Sequence, residues 1–140
     1  MKECLFCGKR TDNNEWVEGW LFTIPTDEYK KDVECFIVTE IDFRDSIYDV
    51  YKYTYEVDPK TVRQFIGLFD KNKKRIYKGD IVRHYNDSSH PEHFEIGKIW
   101  WDKDKLCFKR TSFPTSVLVW SNCVYEVIGN IYDNPELLEQ

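Results

Sequence analysis

Methionine is scarce in this sequence, with 1 residue among 140, and long apolar runs are missing. A membrane-spanning helix needs about 20 consecutive apolar residues, so no membrane span is predicted. The N-terminal residues also lack the longer apolar stretch of a secretion signal. There is no internal repeat, low-complexity segment or Gly/Ser linker that would mark a domain boundary. The sequence therefore predicts a cytoplasmic protein with a single domain over residues 1–140.

Aromatic residues are abundant, with 5 Trp, 9 Tyr and 9 Phe. Aromatic and β-branched side chains suit the half-buried surface of a sheet, so the composition favours a β-rich fold. A hydrophobic fraction of 41% and a charged fraction of 32% are ordinary for a globular protein. A chain of this length can bury a core without disulfide or metal support.

Charge is unevenly distributed along the chain. The net charge is −5, but residues 60–85 carry 8 basic and 2 acidic side chains. This basic strip, 60–83, could contact phosphates while its aromatic residues stack on bases. Charged turns that merely keep hairpins soluble are the alternative interpretation. Besides Lys60 and Arg63, the strip holds the candidates for nucleic-acid contact, which are Lys71, Lys73, Lys74, Arg75, Lys78 and Arg83.

Many short apolar segments alternate with turn residues, which is typical of a small barrel or roll. Pro25 is expected to end a strand over 16–24, and 47–57 alternates with a period of two. Asp58-Pro59 predicts a cap and a short helical turn, and 133–138 predicts a short terminal helix. The other predicted strands are 35–41, 65–69 and 75–77 (a hairpin), 81–85, 96–101 paired with 106–110, 117–120 and 124–132.

No catalytic, cofactor or metal site is predicted. Cys4 and Cys7 have the spacing of half a zinc site, but the second pair of ligands is missing. His84, His90 and His93 cluster only in sequence, so a solvated loop is favoured over a metal site. There is no P-loop, dinucleotide-binding glycine pattern or nucleophile elbow. A hydrolase would need an unfamiliar cleft that gathers Asp80 and His84.

Two pairs of neighbouring residues, Gly79-Asp80 and Trp100-Trp101, are candidates for a structural turn and for an interface. Gly79-Asp80 precedes an apolar strand, and a structural turn explains both residues, because glycine permits the turn and the carboxylate can accept a backbone N–H. Trp100 and Trp101 should point to opposite faces of a strand, so one of them is a candidate interface anchor. Packing in the core or at a barrel end is the alternative for both.

Three groups of motifs resemble the YopX family of phage and prophage proteins. The first runs from Leu5-Phe6 through Gly8-Lys9-Arg10-Thr11-Asp12-Asn13 to Glu15-Trp16-Val17-Glu18-Gly19. The second contains Asp58-Pro59, Thr61-Val62, Gln64-Phe65, Gly67-Leu68, Asp70-Lys71-Asn72, Arg75-Ile76-Tyr77 and Gly79-Asp80-Ile81-Val82. The third joins Tyr125-Glu126-Val127-Ile128-Gly129-Asn130-Ile131-Tyr132 to Asn134-Pro135-Glu136-Leu137-Leu138. Lys73 departs from the glycine frequent in the family's turn, Lys78 from its glutamate and Cys7 from its arginine.

The resemblance implies an SH3-like β-roll with extra elements and no established activity. We therefore expect a mostly β fold (β-rich α+β), with N-terminal strands over 1–57, an SH3-like barrel over 58–140 and a short C-terminal helix. The favoured function is that of a non-enzymatic phage accessory protein that binds a phage or host protein or forms a homo-oligomer. The alternative is a nucleic-acid-binding module that uses the basic strip.

Overall fold

The structure, a computed structural model, describes residues 5–26, 32–39, 53–85, 89–102, 107–112, 115–118 and 124–139. For residues 102, 107–112 and 115–118 the description covers the backbone. The chain divides into two compact units, residues 1–64 and 65–140. None of the helices in these ranges is long and apolar enough to cross a membrane.

Extended strands dominate both units. The strands within the described ranges are β1 (Phe6–Lys9), β2 (Trp16–Pro25), β3 (Val33–Val38), β4 (Thr54–Val57), β5 (Arg63–Phe69), β6 (Arg75–Tyr77), β7 (Asp80–Tyr85), β8 (Phe94–Asp102), β9 (Cys107–Ser112), β10 (Thr115–Leu118) and β11 (Val124–Asn130). The helices there are two 3₁₀ segments, Pro59–Thr61 and Pro135–Leu138. The fold is therefore mostly β, as the composition predicted.

Antiparallel pairing orders the first unit as β4-β3-β2-β1, and β1 also pairs with the first two residues of β5. An isolated bridge between Arg10 and Val57 ties the end of β1 to β4. One face of these strands forms a core. Its fully enclosed members are Cys35, Ile37 and Val57, with Val17, Leu21 and Val62 packed around them.

Gly19 allows β2 to approach β3 closely. A Cβ at this position would collide with the backbone carbonyl of Val38. Up to and including Gly19 the strand pairs with β1, and from Trp20 onward it pairs with β3. A residue without a side chain is therefore required at the point where β2 changes partners.

The second unit holds the β5–β6 hairpin and an antiparallel sheet with the order β10-β9-β8-β7-β11. Its core contains Ile76, Val82, Ile99 and Tyr125, with Ile66, Leu68 and Val127 against them. Strand β11 returns beside β7 with a register shift between Val127 and Gly129. The described strand orders are those of open sheets, so they do not show the closed SH3-like barrel, which stays a prediction.

Several local predictions are confirmed. The β5–β6 hairpin and the β8–β9 pair are present, and β2 ends at Pro25. Asp58 caps the first 3₁₀ helix by accepting the Lys60 N–H at 3.0 Å.

Other predictions need correction or lie outside the described residues. The C-terminal segment is one 3₁₀ turn, and its Asn134 side chain makes no cap hydrogen bond. Instead, Asn134 Oδ1 accepts the backbone N–H of Asn130. The predictions for 40–41, 47–52, 106 and 119–120 lie outside the described residues, as do those for Cys4 and for the 103–105 turn. Strand β1 was not predicted, because it is short and contains Gly8.

Candidate interaction surfaces

The cations of the predicted basic strip differ in how exposed they are and in what they contact. In the first unit, Arg63 is only 6% exposed, and its guanidinium lies 4.4 Å from the centre of the Trp16 ring. A cation that is stacked and buried in this way stabilises the unit rather than forming an exposed surface. Lys60, in the 3₁₀ helix of the same unit, is exposed.

Lys71 and Arg83 converge on one carboxylate. Lys71 Nζ lies 2.7 Å from Glu126 Oε2, and the Arg83 guanidinium lies 3.8 Å from Glu126 Oε1. The Tyr85 hydroxyl donates a 3.0 Å hydrogen bond to the same carboxylate, and Lys71 also lies over the Tyr85 ring. The hydrogen bond from Lys71 lowers the pKa of Glu126, and the same bond raises the pKa of Lys71. Two of the predicted phosphate contacts are thus already engaged with an acidic partner.

Lys73 and Lys74 are exposed on the turn between β5 and β6, and Asp70 organises this turn. Asp70 Oδ1 accepts the N–H groups of Asn72 and Lys74 at 2.8 and 2.9 Å, and Oδ2 accepts that of Val127 at 3.1 Å. Lys73 has a φ of 65°, in the left-handed region that glycine adopts most easily. The Asp-Lys-Asn motif is therefore a turn, with both carboxylate oxygens directed at backbone N–H groups.

Next to this turn, β5 exposes an aromatic side chain. Phe69 is 55% exposed, and its ring meets that of Phe65 edge-on at 5.5 Å. The Arg75 guanidinium lies 6.0 Å from the centre of the Phe65 ring. Lys78, which follows β6, is exposed. This hairpin therefore places cations and rings on the same small element.

Gly79 and Asp80 form the turn into β7. Gly79 has a φ of 87°, and its N–H and carbonyl bond to Ile99 and Ile131 at 2.7 and 3.0 Å. Asp80 is 4% exposed, and its Oδ2 accepts the Tyr77 N–H at 2.8 Å. These contacts give both residues a structural role.

The three histidines make separate ring contacts. The His84 ring stacks on Tyr125 at 5.1 Å, whereas His90 and His93 stack on each other at 5.8 Å. His90 Nδ1 lies 3.1 Å from Glu92, and both side chains are exposed. In the part of the chain that the structure describes, no three His, Cys, Asp or Glu side chains are grouped as metal ligands would be.

Cys7 and Cys35 are buried in the first unit. Cys7 is 3% and Cys35 is 5% exposed, and burial raises the pKa of the Cys35 thiol. A raised pKa keeps a thiol protonated and unreactive, so Cys35 acts here as a small core residue. Cys4, the other half of the predicted pair, lies outside the described residues.

Trp100 and Trp101 are both half-buried on β8, where they pair with Lys109 and Phe108 of β9. Period two places their side chains on opposite faces of the strand. Neither ring belongs to the most exposed aromatic residues, which include Phe69 of the basic strip and Trp20 and Phe22 of β2.

Trp20 and Phe22, for which the sequence predicted no role, lie on the outer face of the first unit. Trp20, Phe22 and Ile24 alternate along β2 and are 46%, 41% and 46% exposed. Phe36 and Val38 of β3 lie opposite Phe22 and Trp20, and the Phe22 and Phe36 rings stack at 5.1 Å. We call these five residues the β2–β3 strip.

One signal in the sequence could have found the β2–β3 strip. Residues 20–24 are apolar except for Thr23, and Leu21 lies between Trp20 and Phe22, so both faces of β2 carry apolar side chains. One face packs on the core with Leu21, and the other has to remain outside or be covered by another element.

One protein-family model matches nearly the whole chain. The model described as "YopX protein" matches residues 5–139. The chain belongs to the YopX family. No curated protein matches it. Among solved structures, protein EF1440 from Enterococcus faecalis is similar with a TM-score of 0.57 and 23% identity over 99% of both chains.

Family membership confirms the resemblance drawn from the motifs, and the likeness to EF1440 concerns the fold alone. The geometry also explains one departure from the family pattern. YopX proteins frequently have glycine where this chain has Lys73, and Lys73 adopts a positive φ. The backbone at this turn therefore has the conformation for which glycine is suited.

Proposed function

We propose that this YopX-family protein is a non-enzymatic phage or prophage accessory protein that acts in the bacterial cytoplasm by binding another protein. The observation that carries the proposal is the β2–β3 strip. Monomeric proteins rarely expose contiguous apolar patches unless these take part in binding. Large aromatic residues near the centre of an interface also supply most of its binding energy.

The buried acids support a role without catalysis. Asp70 and Asp80 accept backbone N–H groups and hold turns in place. A general base has to be free to accept a proton from a substrate. The hydrolase alternative uses Asp80 and His84, but Asp80 already accepts the Tyr77 N–H, and the His84 ring is stacked on Tyr125.

We also propose that the second unit is the SH3-like roll implied by the family resemblance. Strands β7 to β10 form a meander, and β11 returns to pair with β7, which gives the order β10-β9-β8-β7-β11. A four-strand meander whose fifth strand returns beside the first is the strand order of an SH3-like roll. The sheet in this proposal would curl so that its edges approach each other.

Site-specific photo-crosslinking tests the interaction. A photoreactive phenylalanine analogue replaces Phe22 in the full chain, and in a control it replaces Tyr132, which is 38% exposed in the second unit. Both variants are produced in bacteria that carry the phage or prophage. We expect one defined protein adduct from position 22, its loss when Trp20→Ser is added, and its absence from position 132. No adduct from position 22, or the same adducts from both positions, contradicts the proposal.

The hairpin favours a second candidate function, the binding of single-stranded nucleic acid. Phe69 is exposed close in sequence to the exposed Lys73 and Lys74, and rings beside cations can stack bases while they neutralise phosphates. Fluorescence anisotropy of labelled single- and double-stranded DNA and RNA at low and physiological salt tests this candidate. Binding that weakens steeply with salt and disappears in K73E/K74E supports it. No binding at low salt rejects it.

A further inference from the structure

Acidic side chains border the β2–β3 strip. Glu34 of β3 lies directly opposite Ile24, and Glu56 of β4 lies directly opposite Phe36. Residues directly opposite each other in an antiparallel pair share a face, so both glutamates stand beside the apolar side chains. Glu34 and Glu56 are both exposed.

No positive charge balances them within these strands. Residues 20–25 of β2, all of β3 and all of β4 contain no lysine or arginine. Within these strands, the charged border of the strip is therefore acidic. Such a border attracts a cationic partner and repels an anionic one.

The dimensions of the strip suit a helix. From Trp20 to Ile24 it extends over five residues, and the four rises between them span about 13 Å at the usual rise of a strand. That length matches between two and three turns of an α-helix at about 5.4 Å per turn. A helix with an apolar stripe is also a common element to pack on the face of a sheet.

We infer that the β2–β3 strip binds a basic amphipathic helix of a partner protein. The apolar stripe of that helix packs on Trp20, Phe22 and Phe36, and the lysine or arginine residues along its border reach Glu34 and Glu56. This inference rests on the proposed function and specifies its partner. A second copy of this chain is a poorer occupant, because two strips placed face to face would bring like-charged borders together.

A labelled synthetic peptide provides the probe. It is an 18-residue amphipathic helix with a leucine and phenylalanine stripe bordered by lysines, and its matched control carries glutamate at each lysine. Anisotropy is measured with the full-length protein at low and physiological salt. We expect the basic peptide to bind at least about tenfold more tightly than the acidic one, with the difference shrinking as salt rises.

Variants locate the binding. Phe22→Ser should abolish it, whereas Phe94→Ser, which changes an equally exposed phenylalanine of the other unit, should leave it unchanged. Glu34→Lys with Glu56→Lys should weaken binding about tenfold, because each reversal removes an attraction and adds a repulsion. The matched control, Glu136→Lys with Glu139→Lys, changes net charge equally at exposed residues outside the strip and should weaken binding less than about twofold. Circular dichroism confirms that each variant is folded.

Three results overturn the inference. They are equal binding of the two peptides, equal weakening by both charge reversals, and sedimentation that shows a dimer which Phe22→Ser dissociates. Any of these results together with a retained adduct from position 22 rejects the basic helix while the proposed interaction stands. If the protein binds neither peptide and position 22 gives no adduct, the proposed function is rejected as well.

Discussion

Replacement of Asp70 tests how the β5–β6 turn is joined to the rest of the second unit. Its carboxylate is 7% exposed and accepts three backbone N–H groups, two within the turn and one from Val127, 57 positions away in sequence. The backbone adds a fourth link, because the Lys71 N–H donates to the Tyr125 carbonyl at 2.8 Å. Asp70→Ala removes the three carboxylate bonds and keeps the fourth.

The expected loss of stability follows from these bonds. A hydrogen bond to a charged group contributes about 1.5–3 kcal/mol when it is buried. Asn72 and Lys74 are exposed, so water can replace Asp70 at their N–H groups, and those two bonds count for less. We expect Asp70→Ala to lower the free energy of unfolding by about 2–4 kcal/mol, and Asp70→Asn by roughly half as much, because the amide keeps one acceptor oxygen.

Urea unfolding followed by circular dichroism measures this loss, and amide exchange of Val127 provides a local probe. An unchanged dependence on urea would show that stability, rather than the extent of unfolding, has changed. Asp12→Ala is the control, since Asp12 is an exposed acid whose partner is Arg10, and it should unfold close to wild type. If Asp70→Ala unfolds like Asp12→Ala and the Val127 amide exchanges no faster, the reasoning about this turn is refuted.

Three further outcomes are expected. Gly19→Ala should destabilise the first unit by at least about 2 kcal/mol, because the added Cβ would collide with the Val38 carbonyl. Thermal unfolding measures this loss, and an unchanged melting temperature would contradict the close approach of β2 and β3. Lys73→Gly should stabilise the chain by roughly 0.5–1 kcal/mol in urea unfolding by relieving the positive φ, and a lower stability would show that Lys73 contributes more than its backbone costs. The contact with Lys71 lowers the pKa of the Glu126 carboxyl. The contact therefore adds stability above pH 4.5, the ordinary pKa of a glutamate, and this stability is lost as the pH falls through the lowered pKa. The melting temperature of Glu126→Gln should therefore lie below that of wild type at neutral pH and approach it in acid, and a gap that does not depend on pH would argue against an ionised contact.

The hairpin between β5 and β6 is an element that the local sequence was sufficient to predict. Two apolar segments separated by Asp70-Lys71-Asn72-Lys73-Lys74 predicted it, because the turn is closed by contacts among neighbouring residues. Strand β1 shows the opposite case. It has four residues, including Gly8, and it is a strand because β2 and β5 pair with it on either side.

The candidate site was harder to predict than the strands. The sequence pointed to the rings of the basic strip, which include the exposed Phe69, and to Trp100 and Trp101, which are half-buried. It did not point to Trp20 and Phe22, which are 46% and 41% exposed. Exposure is a property of how strands stack and what covers them, so a period of two separates the faces of a strand without saying which face is outside.

Features that depend on residues close together in the chain could be predicted without the structure. These features are the β-rich class, the approximate positions of most strands, the turn at Asp70, the cap at Asp58 and the family. Only the tertiary structure decided which charges meet, because Lys71, Arg83 and Glu126 are far apart in sequence and come together through strand pairing. It also decided that Arg63 is buried while Lys73 is exposed, although both are cations of one basic strip. The physical reason is that turns and caps close within a few residues, whereas burial and ion pairing depend on the packing of distant strands.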